Sequence, residues 1–134
     1  METKKKILIA DDDPDILAQT KLLLEERGFD VIPAESAASA LKLFEANDIY
    51  AAALDLIMEE MDSGFTLSYK IKKTEKGKKI PVVILTSATY LTGFKFDATT
   101  KEEKSWLKCD AILNKPVDVE DLLMKIEEYY SGTL

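Results

Sequence analysis

The sequence predicts an α/β fold, a doubly wound parallel sheet of five strands covered by helices on both faces. Three observations carry that reading. Short apolar runs alternate with amphipathic stretches along the chain. The runs are continuously apolar, as strands buried on both sides must be. Acidic, hydroxyl and basic residues recur just beyond the ends of the runs. A chain of 134 residues buries an adequate core without disulfides or a structural metal, so one domain is expected over 1–134.

The first strand is read over residues 5–10, KKILIA. Asp13 suits the N-cap of the following helix, and Pro14 suits its first turn, where a missing N–H costs nothing. Ile16, Leu17, Leu23 and Leu24 form its apolar stripe, and Gly28 ends it. Residues 30–34 make a weaker second strand, after which Ser36 caps a helix with Ala40, Leu41 and Phe44 inward, ending near Asn47. The third strand, IYAAAL over 49–54, has ambiguous propensity because of its alanines; its place in the alternation decides, and Asp55 stands at its end.

A helix over 66–73 is closed by the Lys- and Gly-rich KTEKGKK. PVVIL over 81–85 is the clearest buried strand. A helix is expected over 99–108 with Trp106 and Leu107 inward, then a fifth strand over 111–114 ending at Lys115. Asp118 caps the last helix, where Leu122, Leu123, Ile126, Tyr129 and Tyr130 recur at helical spacing.

Composition excludes several chemistries. Histidine is absent, so there is no Ser-His-Asp triad, no imidazole base, no His-ligated zinc and no phosphohistidine on this chain. Cys109 is the single cysteine and reads as a small buried apolar residue. The formal charge of −7 and the presence of only one arginine, Arg27, argue against direct nucleic-acid binding. Lys70, Lys72, Lys73, Lys76, Lys78 and Lys79 read as a solvated helix face and loop. No apolar run approaches the roughly 20 residues needed to cross a bilayer, and no signal peptide opens the chain, so a cytoplasmic address is expected.

In an open parallel sheet, ligands bind beyond the carboxyl ends of the strands. Strand one delivers Asp11 and Asp12 there, strand three Asp55, strand four Thr86 and Ser87, and strand five Lys115. Crowded carboxylates repel, and burial raises the cost of each. A hard divalent cation offsets that repulsion and prefers oxygen ligands, which favours Mg²⁺, Mn²⁺ or Ca²⁺. Mg²⁺ leaves positions for a phosphoryl group, an ammonium neutralises phosphoryl oxygens, and a hydroxyl hydrogen-bonds one of them. A carboxylate is then the obvious nucleophile, and Asp55, between the acid pair and the lysine, is its best candidate.

ILIADDDP, ALDLIMEEMDSGF, PVVILTS and LNKP, in that order, resemble the four signature blocks of the response-regulator receiver domain of two-component signalling. The resemblance covers essentially the whole chain and implies a CheY-like, flavodoxin-like (βα)5 fold with strand order 2-1-3-4-5. It implies that Asp55 accepts a phosphoryl group from a phosphohistidine on a sensor histidine kinase or histidine phosphotransfer protein. Asp12 would ligate Mg²⁺ (or Mn²⁺) directly and Asp11 mainly through water, with Asp55 and the carbonyl of Ile57 completing the protein ligands. Thr86 would bond the phosphoryl oxygen, Lys115 would pair with it, and Asp13 is left as the helix cap. Such a domain is a signalling phosphoacceptor, at most catalysing its own phosphorylation and dephosphorylation, and a monomer or weak homodimer.

The chain departs from the family in four places. Glu59 and Glu60 stand where a proline is usual, and Ser63 separates Asp62 from Gly64, so a longer, more acidic loop is expected, its carboxylates solvated at the rim. Ile112 occupies a position commonly aromatic, and an aliphatic side chain cannot report Thr86 movement in the same way; Tyr90 is read as a packed or surface residue. The segment before strand five is several residues longer than usual, with Phe94 and Phe96 expected against the sheet edge. The chain ends at EEYYSGTL with no output domain, which fits a stand-alone receiver or one cut from a larger protein. Two other readings stay open: a receiver-fold interaction module regulated without phosphate, and an aspartyl-phosphate phosphatase of the haloacid dehalogenase type. The phosphatase usually needs a second aspartate two residues after the nucleophile, and Ile57 stands there.

Overall fold

A computed structural model describes residues 4–58, 63–87 and 109–134. Five strands, β1 (Lys6–Ala10), β2 (Asp30–Ala34), β3 (Ile49–Asp55), β4 (Val82–Ser87) and β5 (Ala111–Lys115), alternate with helices α1 (Pro14–Glu25), α2 (Ala37–Ala46), α3 (Ser63–Lys72) and α4 (Val119–Ser131). All strand pairings are parallel, in the order β2-β1-β3-β4-β5, as expected. The helix expected over 99–108, with Trp106 and Leu107, lies outside the described residues, as do Glu59, Glu60, Asp62, Tyr90, Phe94 and Phe96.

The period-two alternation of each strand divides the core between the two faces of the sheet. Ile7, Ile9, Ala51, Ala53, Val83 and Leu85 pack with Leu17 and Leu24 of α1 and with Leu122 and Ile126 of α4. Leu8, Ala10, Ala52, Leu54, Val82 and Ile84 pack on the other face with Ala40 and Phe44 of α2 and Leu67 and Ile71 of α3. The alanines of β3 are explained by this arrangement. The strand lies at the sheet centre between β1 and β4, buried on both faces, where small side chains leave room for the bulky residues of the flanking strands and helices.

Local capping sets the helix ends. Asp13 accepts from the N–H groups of Asp15 (2.9 Å) and Ile16 (3.4 Å), and Pro14 opens α1. Ser36 and Ser39 form a reciprocal capping box at α2. Asp118 caps α4, and Gly132, at φ +80, closes it in the left-handed conformation that glycine adopts without strain.

Three details differ from expectation. Helix α3 begins at Ser63 rather than at residue 66, because the Gly64 N–H donates to the Leu56 carbonyl (2.8 Å) and ties the first turn to the end of β3. Strand β4 runs on to Ser87 rather than stopping at residue 85. The lysines of 70–79 are not uniformly solvated. Lys72 pairs with Asp110 at 3.0 Å and donates to the Ile80 carbonyl, while Lys76 Nζ donates to the carbonyls of Phe44 (3.2 Å) and Asn47 (2.9 Å) at the end of α2.

An ammonium at a helix C-terminus satisfies carbonyls that have no intrahelical partner and complements the helix dipole. Lys76→Ala is therefore expected to cost about 1 kcal/mol, read as a lower urea midpoint at unchanged slope. An unchanged midpoint would mean that water caps α2 equally well.

Candidate functional site

Register builds the site. Ala10 pairs with Leu54, so Asp11 and Asp55 come next on adjacent strands; Asp55 pairs with Leu85, so Thr86 follows on the neighbouring strand; and Ser87 pairs with Lys115. Asp11 and Asp55 continue the alternation of Ile7 and Ile9 and of Ala51 and Ala53, and Lys115 that of Ala111 and Leu113. All three belong to the face that α1 and α4 cover. Of the expected residues, the structure gathers Asp11, Asp12, Asp55 and Lys115 at the carboxyl edge of the sheet, beside Thr86.

Lys115 Nζ lies 3.0 Å from Asp11 Oδ2 and 3.2 Å from Asp55 Oδ2, joining the two carboxylates. Asp11 is fully buried and also accepts the Asp13 N–H at 2.9 Å, which fixes the turn into α1. Asp12 is exposed and yet offers a carboxylate oxygen that, with one each from Asp11 and Asp55, falls within a 4.8 Å cluster. Thr86 is buried, and its Oγ1 is the one buried side-chain polar atom among the described residues that lacks a hydrogen-bond partner. A buried hydroxyl without a partner costs about 1–3 kcal/mol, which a ligand oxygen would recover.

The electrostatics follow from this crowding. Burial first, and then the charge of Asp11, raise the Asp55 carboxyl to about 6, against the opposing pull of Lys115 and of a hydrogen bond from the Ile57 backbone. Burial pulls Lys115 down, but its hydrogen bonds and charge pairs with Asp11 and Asp55 together outweigh that and raise it. The site is an electron-rich carboxylate held against a cation that stays protonated.

Gly64 was legible only as part of a loop. A Cβ there would stand 2.6 Å from the Asp55 carbonyl oxygen and 2.7 Å from the Leu56 Cα, so glycine alone lets α3 approach the backbone that carries Asp55. Ile57, whose carbonyl is expected as a metal ligand, is exposed, and its backbone N–H donates to Asp55. Ile112 is half-buried on β5 opposite Ile84, packed against the face that α2 and α3 cover.

The donor set fits a hard divalent cation. It is oxygen-only, and three carboxylates with one ammonium leave two negative charges uncompensated.

A five-stranded parallel sheet in this order, with an acid cluster, a hydroxyl and a lysine at its carboxyl edge, defines a CheY-like signalling domain. The chain belongs to the response regulator receiver domain family, whose model matches residues 7–127. It is 33% identical to the transcriptional regulatory protein GlrR of Escherichia coli K12 over 91% of this chain and 25% of the relative. It is 35% identical to the heme response regulator HssR of Staphylococcus saprophyticus over 90% of this chain and 49% of the relative. The chain thus spans a quarter to about half the length of these regulators. Over 92% of this chain it is 31% identical to an uncharacterized 14.6 kDa protein of Leptolyngbya boryana, of which it covers 88%. The receiver domain protein (CheY-like) of Methanospirillum hungatei superposes with a TM-score of 0.75 at 29% identity, covering 98% of this chain and 97% of that one.

Ionised Asp55 is disfavoured in the folded chain relative to the unfolded one. Its contribution to stability is therefore full below about pH 4 and lost as pH rises through about 6. Asp55→Asn is expected to stabilise the cation-free protein by about 1–3 kcal/mol at pH 7.5, with the gain shrinking towards zero near pH 4. Urea melts with a chelator present check this; a gain independent of pH would assign it to packing rather than charge.

Proposed function

We propose that this chain is a phosphoacceptor of two-component signalling that takes a phosphoryl group onto Asp55 and changes conformation in response. The observation that carries the reading is the Asp55 carboxylate paired with Lys115 beside the unpartnered Thr86 hydroxyl. A carboxylate oxygen of Asp55 attacks phosphorus, the P–N bond of a phosphohistidine breaks, and the imidazole leaves with a proton from solvent. The donor is a sensor histidine kinase or a histidine phosphotransfer protein, since this chain has no histidine of its own.

Asp11, Asp12 and Asp55, with the Ile57 carbonyl, are the residues that would hold Mg²⁺, with Mn²⁺ as a substitute. When bound, the ion neutralises charge on the transferring phosphoryl oxygens. Lys115, already joining Asp11 and Asp55, can turn its ammonium towards a phosphoryl oxygen without leaving the site. Thr86 donates its hydroxyl to another, and this is the step by which phosphorylation reaches β4. A two-state shift of that kind needs only differential contact with the phosphoryl group. The aliphatic Ile112 makes an aromatic rotation at that position an unsuitable switch. The family resemblance supports a cytoplasmic site of action.

Incubation with Mg²⁺ and a small phosphodonor is expected to add a phosphate-sized mass, abolished in Asp55→Asn and by chelator. Wild-type protein without a mass gain, under conditions that phosphorylate another receiver, would overturn the proposal.

Mg²⁺ alone is expected to raise the melting temperature, by an amount equivalent to about 2.7 kcal/mol at a concentration one hundred times its Kd. In Asp12→Asn the rise should largely vanish. Melting that ignores both Mg²⁺ and chelator would instead favour a receiver-fold module regulated without phosphate.

A further inference from the structure

At the opposite, amino edge of the sheet a cleft of about 360 Å³ opens between the starts of β1 and β3 and the end of α4. Its size is that of small-molecule sites. Ile49 and Ile80 supply apolar floor, and the walls are aromatic. Phe29, Tyr50 and Tyr130 form a continuous stack, with ring centroids 6.3 Å apart for the first pair and 4.6 Å for the second, the latter nearly coplanar at 6°. The Tyr130 hydroxyl donates to the Tyr50 carbonyl at 2.6 Å and Tyr129 meets the Tyr130 ring in a T-shaped contact at 5.2 Å, so the ring is held in place while 44% of the residue remains exposed.

The rim is charged. Lys4, Lys5 and Lys6 line it on one side and Asp48 on the other. Among the described residues none of these four takes part in an ion pair. Lys5 Nζ lies 4.6 Å from the Tyr50 ring centroid, which places an ammonium directly beside the aromatic wall. Other cations of this edge are already spent on helix carbonyls: Lys76 at the end of α2, and Arg27 Nη1 on the Leu23 carbonyl of α1 at 2.9 Å. Lys4, Lys5 and Lys6 have no such partner. The cleft thus combines a held, part-exposed aromatic ring, three lysines suited to phosphate oxygens, and one carboxylate that can accept from an exocyclic amine or a ribose hydroxyl.

We propose that this cleft binds a nucleoside phosphate, the base extending the aromatic stack at Tyr130 and the phosphates lying against Lys4, Lys5 and Lys6. The site is separate from the phosphoacceptor edge and does not depend on the reading given to Asp55. ADP satisfies all three features, whereas pyrophosphate lacks the ring and adenosine lacks the charge.

Titration of the full chain with ADP, pyrophosphate and adenosine tests this, by calorimetry and by amide shifts, with chelator present so that no divalent cation recruits phosphate to the acidic edge. ADP is expected to bind about tenfold more tightly than either fragment, with shifts centred on residues 4–6, 48–50 and 130. Lys5→Gln and Tyr130→Ala should each weaken ADP about tenfold, and Tyr130→Phe, which keeps the ring but loses the hydroxyl that holds it, should weaken ADP less than Tyr130→Ala does. Unchanged melting of Lys5→Gln, and an unchanged mass gain on phosphorylation, keep loss of folding from imitating loss of the site. The proposal is overturned if ADP produces no heat, if pyrophosphate binds as tightly as ADP, or if the shifts map to Asp11 and Asp55 instead.

Discussion

The interaction on which the site depends is the contact of one ammonium with two buried carboxylates, Lys115 with Asp11 and Asp55. Without it, two negative charges taken out of water on adjacent strands would repel each other in a medium that screens poorly. With it, the charge is only partly balanced. Asp12 joins the cluster, and the four groups together retain two negative charges. That surplus of negative charge suits a divalent cation, and burial, with the charge of Asp11 added to it, raises the Asp55 carboxyl. Stability is given up locally so that the site stays receptive to positive charge.

Backbone geometry makes that compromise sustainable. Asp11 and Asp55 cannot separate, because each extends a strand locked in a parallel ladder with β1 and β3 side by side. Gly64 removes a Cβ that would hold α3 away from the Asp55–Leu56 backbone, and the Gly64 N–H bond to Leu56 then secures it. The acids are crowded by register and packing, not by chance proximity on a mobile loop. Such rigid placement is what allows a group to be desolvated and held ready for reaction.

Much of this was legible in the sequence, for reasons particular to each element. Strands such as residues 81–85 were readable because burial on both faces leaves an unbroken apolar run, and helix starts at Asp13, Ser36 and Asp118 because a side-chain cap is a local signal. The gathering of Asp11, Asp12, Asp55 and Lys115 followed from topology alone, since parallel strands deliver their ends to one edge. What escaped was tertiary. The start of α3 depends on the contact of Gly64 with a strand eight residues upstream, and Ser-Gly reads locally as a loop. Lys72 and Lys76 look like surface lysines in a polar run; only the packing of α2, α3 and β5 reveals the carbonyls and the carboxylate they serve.

The two edges of the sheet differ in charge for a shared reason. In a parallel α/β fold every helix begins near the carboxyl edge and ends near the amino edge, so helix dipoles favour anions at the first and cations at the second. Asp13 and Asp118 answer the first requirement at the starts of α1 and α4, and Arg27 and Lys76 answer the second at the ends of α1 and α2. The carboxyl edge goes beyond this logic, for its acids exceed what two caps need, and the excess suits a cation. At the amino edge Lys4, Lys5 and Lys6 line a cleft together with Asp48, and none of them takes part in an ion pair among the described residues. A surplus of one sign held beside a concave surface is the physical condition for binding the opposite charge, and the carboxyl edge meets it with three carboxylates against one ammonium.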